Sequence, residues 1–115
     1  MNIEDIRSYC LALPCTTEDV KWGNDLCFCI AKKMFCVAVL EGPLKISFKV
    51  TDEEFDELST SKGFIPAPYS ARHKWVLLED SDKISSKKLE GFIKQSYGLV
   101  KAKLSKKALK EIGLV

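Results

Sequence analysis

The stretch LCFCIAKKMFCVAVL, residues 26–40, decides the fold of this chain. Apolar residues with high strand propensity run along both of its halves, residues 26–31 and 34–40, on either side of Ala31-Lys32-Lys33. Two such runs joined by a few residues are typical of a β-hairpin. The turn lacks the Asn-Gly pair of the commonest hairpin turns, which leaves its type open. Residues 44–50 then alternate apolar and polar side chains, which predicts a further strand with one buried face.

Helices and other strands surround this hairpin. Apolar residues at spacings of three and four predict a helix over residues 2–13, capped by Asn2 and ended by Pro14. Thr51 and Glu54 form a capping box that begins a second helix. The other predicted elements are a short first strand at 20–22, a loop over 59–72, a buried central strand over 74–79, a long helix over 89–104 and a last helix after Ser105.

This order of elements, α-β-β-β-β-α-β-α-α, predicts an α+β fold. Helices cover one face of an antiparallel sheet, and the other face stays partly open. The length of 115 residues fits one domain over residues 1–115, and 46% hydrophobic with 30% charged residues is ordinary for a globular protein.

Composition also bears on where the protein works. No apolar run approaches the roughly 18 residues of a membrane span, and the acidic N-terminus lacks the features of a signal peptide. Five cysteines, an odd number, fit a reducing compartment better than a disulfide framework. We therefore expect a cytoplasmic protein with no membrane partner.

The net charge of +2 hides an asymmetry along the chain. Residues 1–82 contain 9 Lys or Arg and 14 Asp or Glu, a net charge of −5. Residues 83–115 contain 9 Lys and 2 Glu, a net charge of +7. Either the basic C-terminal helices join a binding surface, or the two layers of the domain attract each other.

Few residues are available for catalysis. His73 is the only histidine and stands at the start of a predicted strand, where a surface role is the simpler interpretation. The chain has no Gly-x-Ser-x-Gly elbow, no P-loop and no Gly-x-Gly-x-x-Gly. We expect no enzymatic activity and no cofactor, with catalysis through His73 as a remote alternative.

Three cysteines raise the question of a metal. Strand alternation predicts that Cys27, Cys29 and Cys36 share one face with Ala38. The opposite, bulkier face would hold Phe28, Ile30, Phe35, Val37 and Val39. Three thiolates could supply three zinc ligands, but no fourth ligand is evident, so small buried thiols are the simpler interpretation and we expect no metal.

Two groups of basic residues are candidates for binding phosphates. Lys32 and Lys33 occupy the predicted hairpin tip, and Lys45 and Lys49 project from the polar side of the next strand. Narrow hairpin tips beside a basic sheet face can enter a nucleic-acid groove while lysines contact phosphates. The second group lies at the C-terminus, where a solvated helix face explains it equally well: Lys101, Lys103, Lys106, Lys107 and Lys110.

Four aromatic residues could contribute to such a surface. Trp75 and Tyr97 fall on apolar stripes and are predicted to belong to the core, and Trp22 lies at the first turn. Tyr69, in the long loop, either stacks on a base or fastens the loop to the domain.

Four motifs stand in order along the chain: Leu11-Ala12-Leu13-Pro14, Lys33-Met34-Phe35, Ala67-Pro68-Tyr69-Ser70-Ala71-Arg72-His73-Lys74-Trp75-Val76 and Ser96-Tyr97-Gly98-Leu99-Val100. In this order and spacing they resemble the MmcQ/YjbR family of small bacterial proteins, over almost the whole chain. The resemblance implies a frataxin-like fold, a curved antiparallel sheet backed on one face by helices. It implies no established enzymatic activity and no agreed catalytic residues.

The resemblance also implies DNA binding through a double wing of β-hairpins. On this chain the wing residues are Lys32, Lys33, Lys45, Lys49, Arg72 and Lys74. Two features depart from the wing hypothesis: the hairpin tip has no glycine, and the sheet face carries cysteines rather than more basic groups.

The frataxin-like shape raises iron binding as another hypothesis. The acidic residues on and after the first helix, Glu4, Asp5, Glu18 and Asp19, are too sparse for a convincing oxygen-ligand site. We therefore predict a non-enzymatic DNA-binding protein without cofactor or metal. The alternative is a protein-interaction adaptor with no affinity for nucleic acid.

Overall fold

Four α-helices and six β-strands make up the computed structural model, which describes residues 1–114. In chain order they are α1 (Ile3–Ala12), β1 (Thr16–Lys21), β2 (Asp25–Ile30), β3 (Lys33–Val39), β4 (Lys45–Lys49), α2 (Asp52–Ser59), β5 (Phe64–Pro66), β6 (Trp75–Leu78), α3 (Ser86–Lys101) and α4 (Lys106–Glu111). The strands form one antiparallel sheet in the order β1-β2-β3-β4-β6-β5. Short 3₁₀ turns at Ala71–His73 and Ser81–Lys83 flank β6.

The helices pack on one face of this sheet. Helix α3 lies against β2, β3 and β4, and α1 lies against β1. The largest side chains that they bury are Phe28, Phe35 and Phe48, all fully inaccessible to solvent. The predicted α+β class, an antiparallel sheet backed on one face by helices, is confirmed.

The sheet has one strand more than predicted. Strand β5 lies inside the predicted loop over 59–72 and pairs with β6, where Phe64 faces Leu78. A strand of three residues that includes Pro66 is too short to show the alternation of apolar and polar residues that predicts a strand. Proline is tolerated there because β5 is an edge strand. Pairing on both sides makes β6 an interior strand, so its prediction as central is confirmed.

A β-bulge near the hairpin tip changes the alternation along β3. Phe28 pairs with Cys36, whereas Cys29 pairs with Met34, so Phe35 is the extra residue. Both Phe35 and Cys36 are fully buried and belong to the core beneath the helices.

This bulge overturns the predicted division of side chains between the two faces. Cys36 and Ala38 belong to the helix-side core, whereas Cys27, Cys29 and Val37 pack on the other face. The prediction that three thiols share one face is therefore wrong. Strict alternation cannot anticipate an extra residue, and one extra residue moves every later side chain to the opposite face.

Ser96 on α3 joins β3 and β4 where their pairing ends. Its hydroxyl donates to the carbonyl oxygen of Phe35 at 2.5 Å and accepts from the amide of Lys49 at 2.9 Å. The next residue, Tyr97, donates its hydroxyl to the carbonyl oxygen of Pro14 at 2.6 Å. The Ser96-Tyr97 motif therefore fastens α3 to the sheet and to the segment between α1 and β1.

The hairpin turn itself is strained. Ala31 and Lys32 have φ values of 48° and 67°, and positive φ at both central positions is the signature of a type I′ turn. Asparagine tolerates this region better than alanine, so we expect Ala31→Asn to raise the free energy of unfolding by about 0.5 kcal/mol. Urea denaturation measures the change. The control is Ala102→Asn, at an exposed position with φ of −62°, where no gain is expected; equal gains at both positions would contradict the interpretation.

Candidate functional site

The hairpin tip, the last residue of β4 and the first residue of β6 meet at one end of the sheet. Lys33 begins β3 and Lys49 ends β4, and these two strands are antiparallel neighbours. Lys49 in turn pairs with Trp75, the first residue of β6. We call the resulting surface the basic end; it comprises Lys32, Lys33, Lys49, Arg72, Lys74 and Lys103.

Lys49 lies at the centre of the basic end. Its Nζ donates to the carbonyl oxygen of His73, which ties β4 to the turn before β6. Burial lowers the pKa of Lys49, and the nearby positive charges of Lys103 and Lys74 lower it further, against the opposing effect of Asp52. Three amino groups therefore share one small region, where a phosphate would relieve their mutual repulsion.

Arg72 and Lys74 sit on the turn that precedes β6. The Arg72 side chain is exposed, and its Nε donates to Nε2 of His73 at 3.2 Å. Lys74 adopts a left-handed backbone with φ of 65°, and its Nζ lies 5.0 Å from the centroid of the Phe55 ring. His73 is exposed, as its predicted surface role requires.

Lys45 is the one predicted wing residue that stands apart. It pairs with Val39 at the end of β3 that is remote from the hairpin tip. Lys45 and Lys49 bound a strand of five residues, so about 13 Å separates them along β4. The structure therefore brings five of the six predicted basic residues to one end and leaves Lys45 at the other.

The C-terminal part of the chain adds to the basic end. Ser96 contacts β3 and β4 there, so the last turn of α3 and the residues that follow it lie at the same end. Lys103 is close enough to Lys49 to lower the pKa of its amino group. Lys103 therefore adds one positive charge of the C-terminal segment to the basic end.

The aromatic residues divide as predicted, with one exception. Trp75 and Tyr97 are buried, and Phe35 meets the Tyr97 ring edge-on at 5.2 Å. Tyr69 is fully exposed on its loop, so the alternative in which its side chain fastens the loop to the domain is wrong. Backbone hydrogen bonds do that instead, among them the one from the Ala67 amide to the carbonyl of Trp75 at 3.0 Å.

The structure separates the thiols that a zinc site would need. Cys36 lies on the helix-side face, and Cys27 and Cys29 lie on the other. Among residues 1–114, no group of three or more His, Cys, Asp or Glu side chains is placed to hold a metal ion. Two of the four acidic side chains of the iron hypothesis are engaged in ion pairs, since Arg7 lies 2.9 Å from Glu18 and 3.3 Å from Glu4.

The buried thiols are held in their neutral form. Burial raises the pKa of Cys27 to about 11 and raises that of Cys29. The pKa of Cys36 is raised by a hydrogen bond with Cys10 and by burial. A thiol protonated more firmly in the folded than in the unfolded chain stabilises the fold at low pH, so stability should fall as pH rises above about 9.

We expect iodoacetamide at about pH 8 to modify Cys15 alone in the folded chain, because the thiolate is the reactive form and Cys15 is exposed. Peptide mass spectrometry locates the label, and denatured protein, in which all five cysteines should react, is the control. Modification of Cys27 or Cys29 as fast as Cys15 would contradict their burial.

Known proteins share the architecture. Residues 11–99 match the model of the family described as YjbR. A Deinococcus radiodurans protein with the domain DUF419 has a similar crystal structure, with a TM-score of 0.86 and 26% identity over 99% of this chain and 89% of that one. A Pseudomonas syringae protein has a similar fold, with a TM-score of 0.72 and 19% identity over 86% of this chain and 98% of that one. No curated protein matches the chain.

The helices give no indication of a membrane span. Within residues 1–114, none of them combines the length and the apolar character that crossing a bilayer requires.

Proposed function

The chain belongs to the YjbR family, and from this membership and the charge at its basic end we propose that it is a non-enzymatic, cytoplasmic bacterial protein that binds duplex DNA. The observation that carries the proposal is the strand pairing that places Lys33, Lys49 and Lys74 at one end of the sheet, beside an exposed hairpin tip. Clustered lysines on one surface are the electrostatic footprint of a protein that neutralises phosphates.

The distance between two loops at the basic end fits the major groove of duplex DNA. The β2–β3 hairpin and the loop between β5 and β6 protrude at the same end and are separated by β4. Three strand spacings lie between their centres, about 14 Å. The major groove of B-DNA is about 12 Å wide, so the two loops can meet the phosphates on its two sides while the end of β4 faces the opening.

Lysines at the first loop are free to make such contacts. Lys32 and Lys33 are both exposed, and the two-residue turn Ala31-Lys32 that precedes β3 is narrow. Arg72 is exposed on the second loop. Contacts of this kind to phosphates position a protein without reading bases, so we expect weak dependence on sequence.

Fluorescence anisotropy with an arbitrary labelled duplex tests the proposal. Binding is expected at ~50 mM salt, and it should weaken steeply as salt rises because each neutralised phosphate releases counterions. Absence of binding at ~50 mM salt would overturn the proposal. Single-stranded DNA of the same sequence is the comparison, and tighter binding to it would exclude a duplex groove as the target.

A protein-interaction adaptor is the second candidate, and one observation favours it. Strand β1 lies at the edge of the sheet and contains Val20, which is 56% exposed, and Leu11 on the neighbouring helix α1 is 40% exposed. An open strand edge with apolar neighbours can accept a strand from a partner. A stoichiometric partner that persists after nuclease treatment, and is lost in Val20→Lys, would favour this function over DNA binding.

A further inference from the structure

We propose that the open face of the sheet holds a binding site for a small planar aromatic molecule that carries a positive charge. A cleft of about 590 Å³ lies there, between the turn after β1 and the loop after β5. This volume is within the range of small-molecule sites in proteins. The site lies on the open face of the sheet and shares the loop after β5 with the basic end, but the proposal does not depend on DNA binding.

The floor of the cleft is apolar and built by the sheet. Val37, Trp75 and Leu77 are each 9% exposed or less and pack together on the sheet face opposite the helices. Ala67 and Pro68, from the loop after β5, form one wall. A ligand with a flat apolar surface would therefore remove apolar area from water on both sides.

Two aromatic side chains stand at the rim in backbone conformations that cost energy. Trp22 has a φ of 53° and is 71% exposed, and Tyr69 has a φ of 66° and is fully exposed. Residues other than glycine and asparagine rarely adopt a backbone conformation with positive φ. Such strain persists where the surrounding structure enforces it, often at binding sites. The fold thus holds two large aromatic rings in solvent at the mouth of an apolar cleft.

The charge of the residues that line the cleft favours a positively charged ligand. Among residues 1–114, Asp25 is the only charged residue that lines the cleft, and its other polar groups include the hydroxyls of Ser47, Ser70 and Tyr69. Lys21 faces Asp25 across β1 and β2, but the ion pairs within 4.0 Å in residues 1–114 all involve Arg7. A carboxylate together with the faces of aromatic rings attracts a cation and disfavours an anion such as a phosphate.

Two probes that share a benzyl group and carry opposite charges test this site: 2-phenylethylamine and phenylacetate. Each is titrated into the isotopically labelled protein, and NMR follows the indole N–H signals of Trp22 and Trp75. We expect the amine to shift both signals and to bind about tenfold more tightly than the acid. Asp25→Asn should abolish that preference, and Tyr69→Ala, at a fully exposed position, should weaken binding of the amine without affecting the fold.

Val20→Ala is the matched control, because Val20 is an exposed apolar residue outside the cleft and should leave binding unchanged. Three results would overturn the proposal. The first is no shift with the amine at about 10 mM, a concentration that reveals even weak fragments. The second is equal or tighter binding of phenylacetate. The third is a Trp22 signal that changes with protein concentration alone, since a second copy of the chain would then cover the cleft.

Discussion

Affinity for duplex DNA is expected to fall about 500-fold between ~50 and ~200 mM salt. The basic end offers six cationic side chains, and Lys74 is partly engaged by the Phe55 ring. If five phosphates are neutralised, the log–log slope of the affinity against salt is about −4.5, which gives this loss. Fluorescence anisotropy at four or five salt concentrations measures the slope directly.

Replacing three exposed lysines of the basic end tests whether the slope originates there. The variant Lys32→Gln, Lys33→Gln, Lys103→Gln removes no contact that the structure shows to stabilise the fold, and it should reduce the slope by about 3. A matched variant changes the same charge at the other end of the sheet, on the 3₁₀ turn after β6 and on the first turn of α3: Lys45→Gln, Lys83→Gln, Lys87→Gln. Equal losses in both variants would show that overall charge, and not the basic end, governs binding.

Local patterns along the chain predicted most of the fold. The run of strand-forming residues from 26 to 40 and the alternation over 44–50 predicted β2, β3 and β4, and both capping residues, Asn2 and Thr51, cap the helices as expected. The bulge at Phe35 and the strand β5 were beyond prediction. Both depend on partners that are not adjacent in the sequence. The carbonyl oxygen of Phe35 accepts a hydrogen bond from the Ser96 hydroxyl, and β5 pairs with β6. Backbone pairing of this kind leaves no period in the residues themselves.

The basic end was harder to predict than the fold. Residue type alone indicated Lys32, Lys33 and Lys49, but it also indicated Lys45, which lies at the opposite end of the same strand. Lys103 belongs to the site only because Ser96 fixes where α3 ends relative to the sheet. Position along a strand and the contacts between layers decide which charges meet, and neither is visible in the spacing of the charged residues.

Substitution of Ser96 by alanine is expected to destabilise the fold by about 3 kcal/mol. The hydroxyl is fully buried and satisfies both the Phe35 carbonyl and the Lys49 amide, at a point where β3 and β4 no longer pair with each other. Each buried polar group left without a partner costs about 1–3 kcal/mol, and alanine leaves two of them. For a chain of this size, the loss corresponds to a decrease in melting temperature of about 10 °C.

Thermal denaturation and urea denaturation of Ser96→Ala measure this loss. Ser86→Ala is the control, because Ser86 is exposed on the first turn of the same helix, where the change should stay within about 0.5 kcal/mol. The bridge also sets the spacing between the hairpin and β4, so Ser96→Ala should weaken DNA binding at a temperature where the variant remains folded. Stability within about 0.5 kcal/mol of the unchanged chain would mean that water or a shifted backbone satisfies both groups, and that the end of the sheet does not depend on α3 for its geometry.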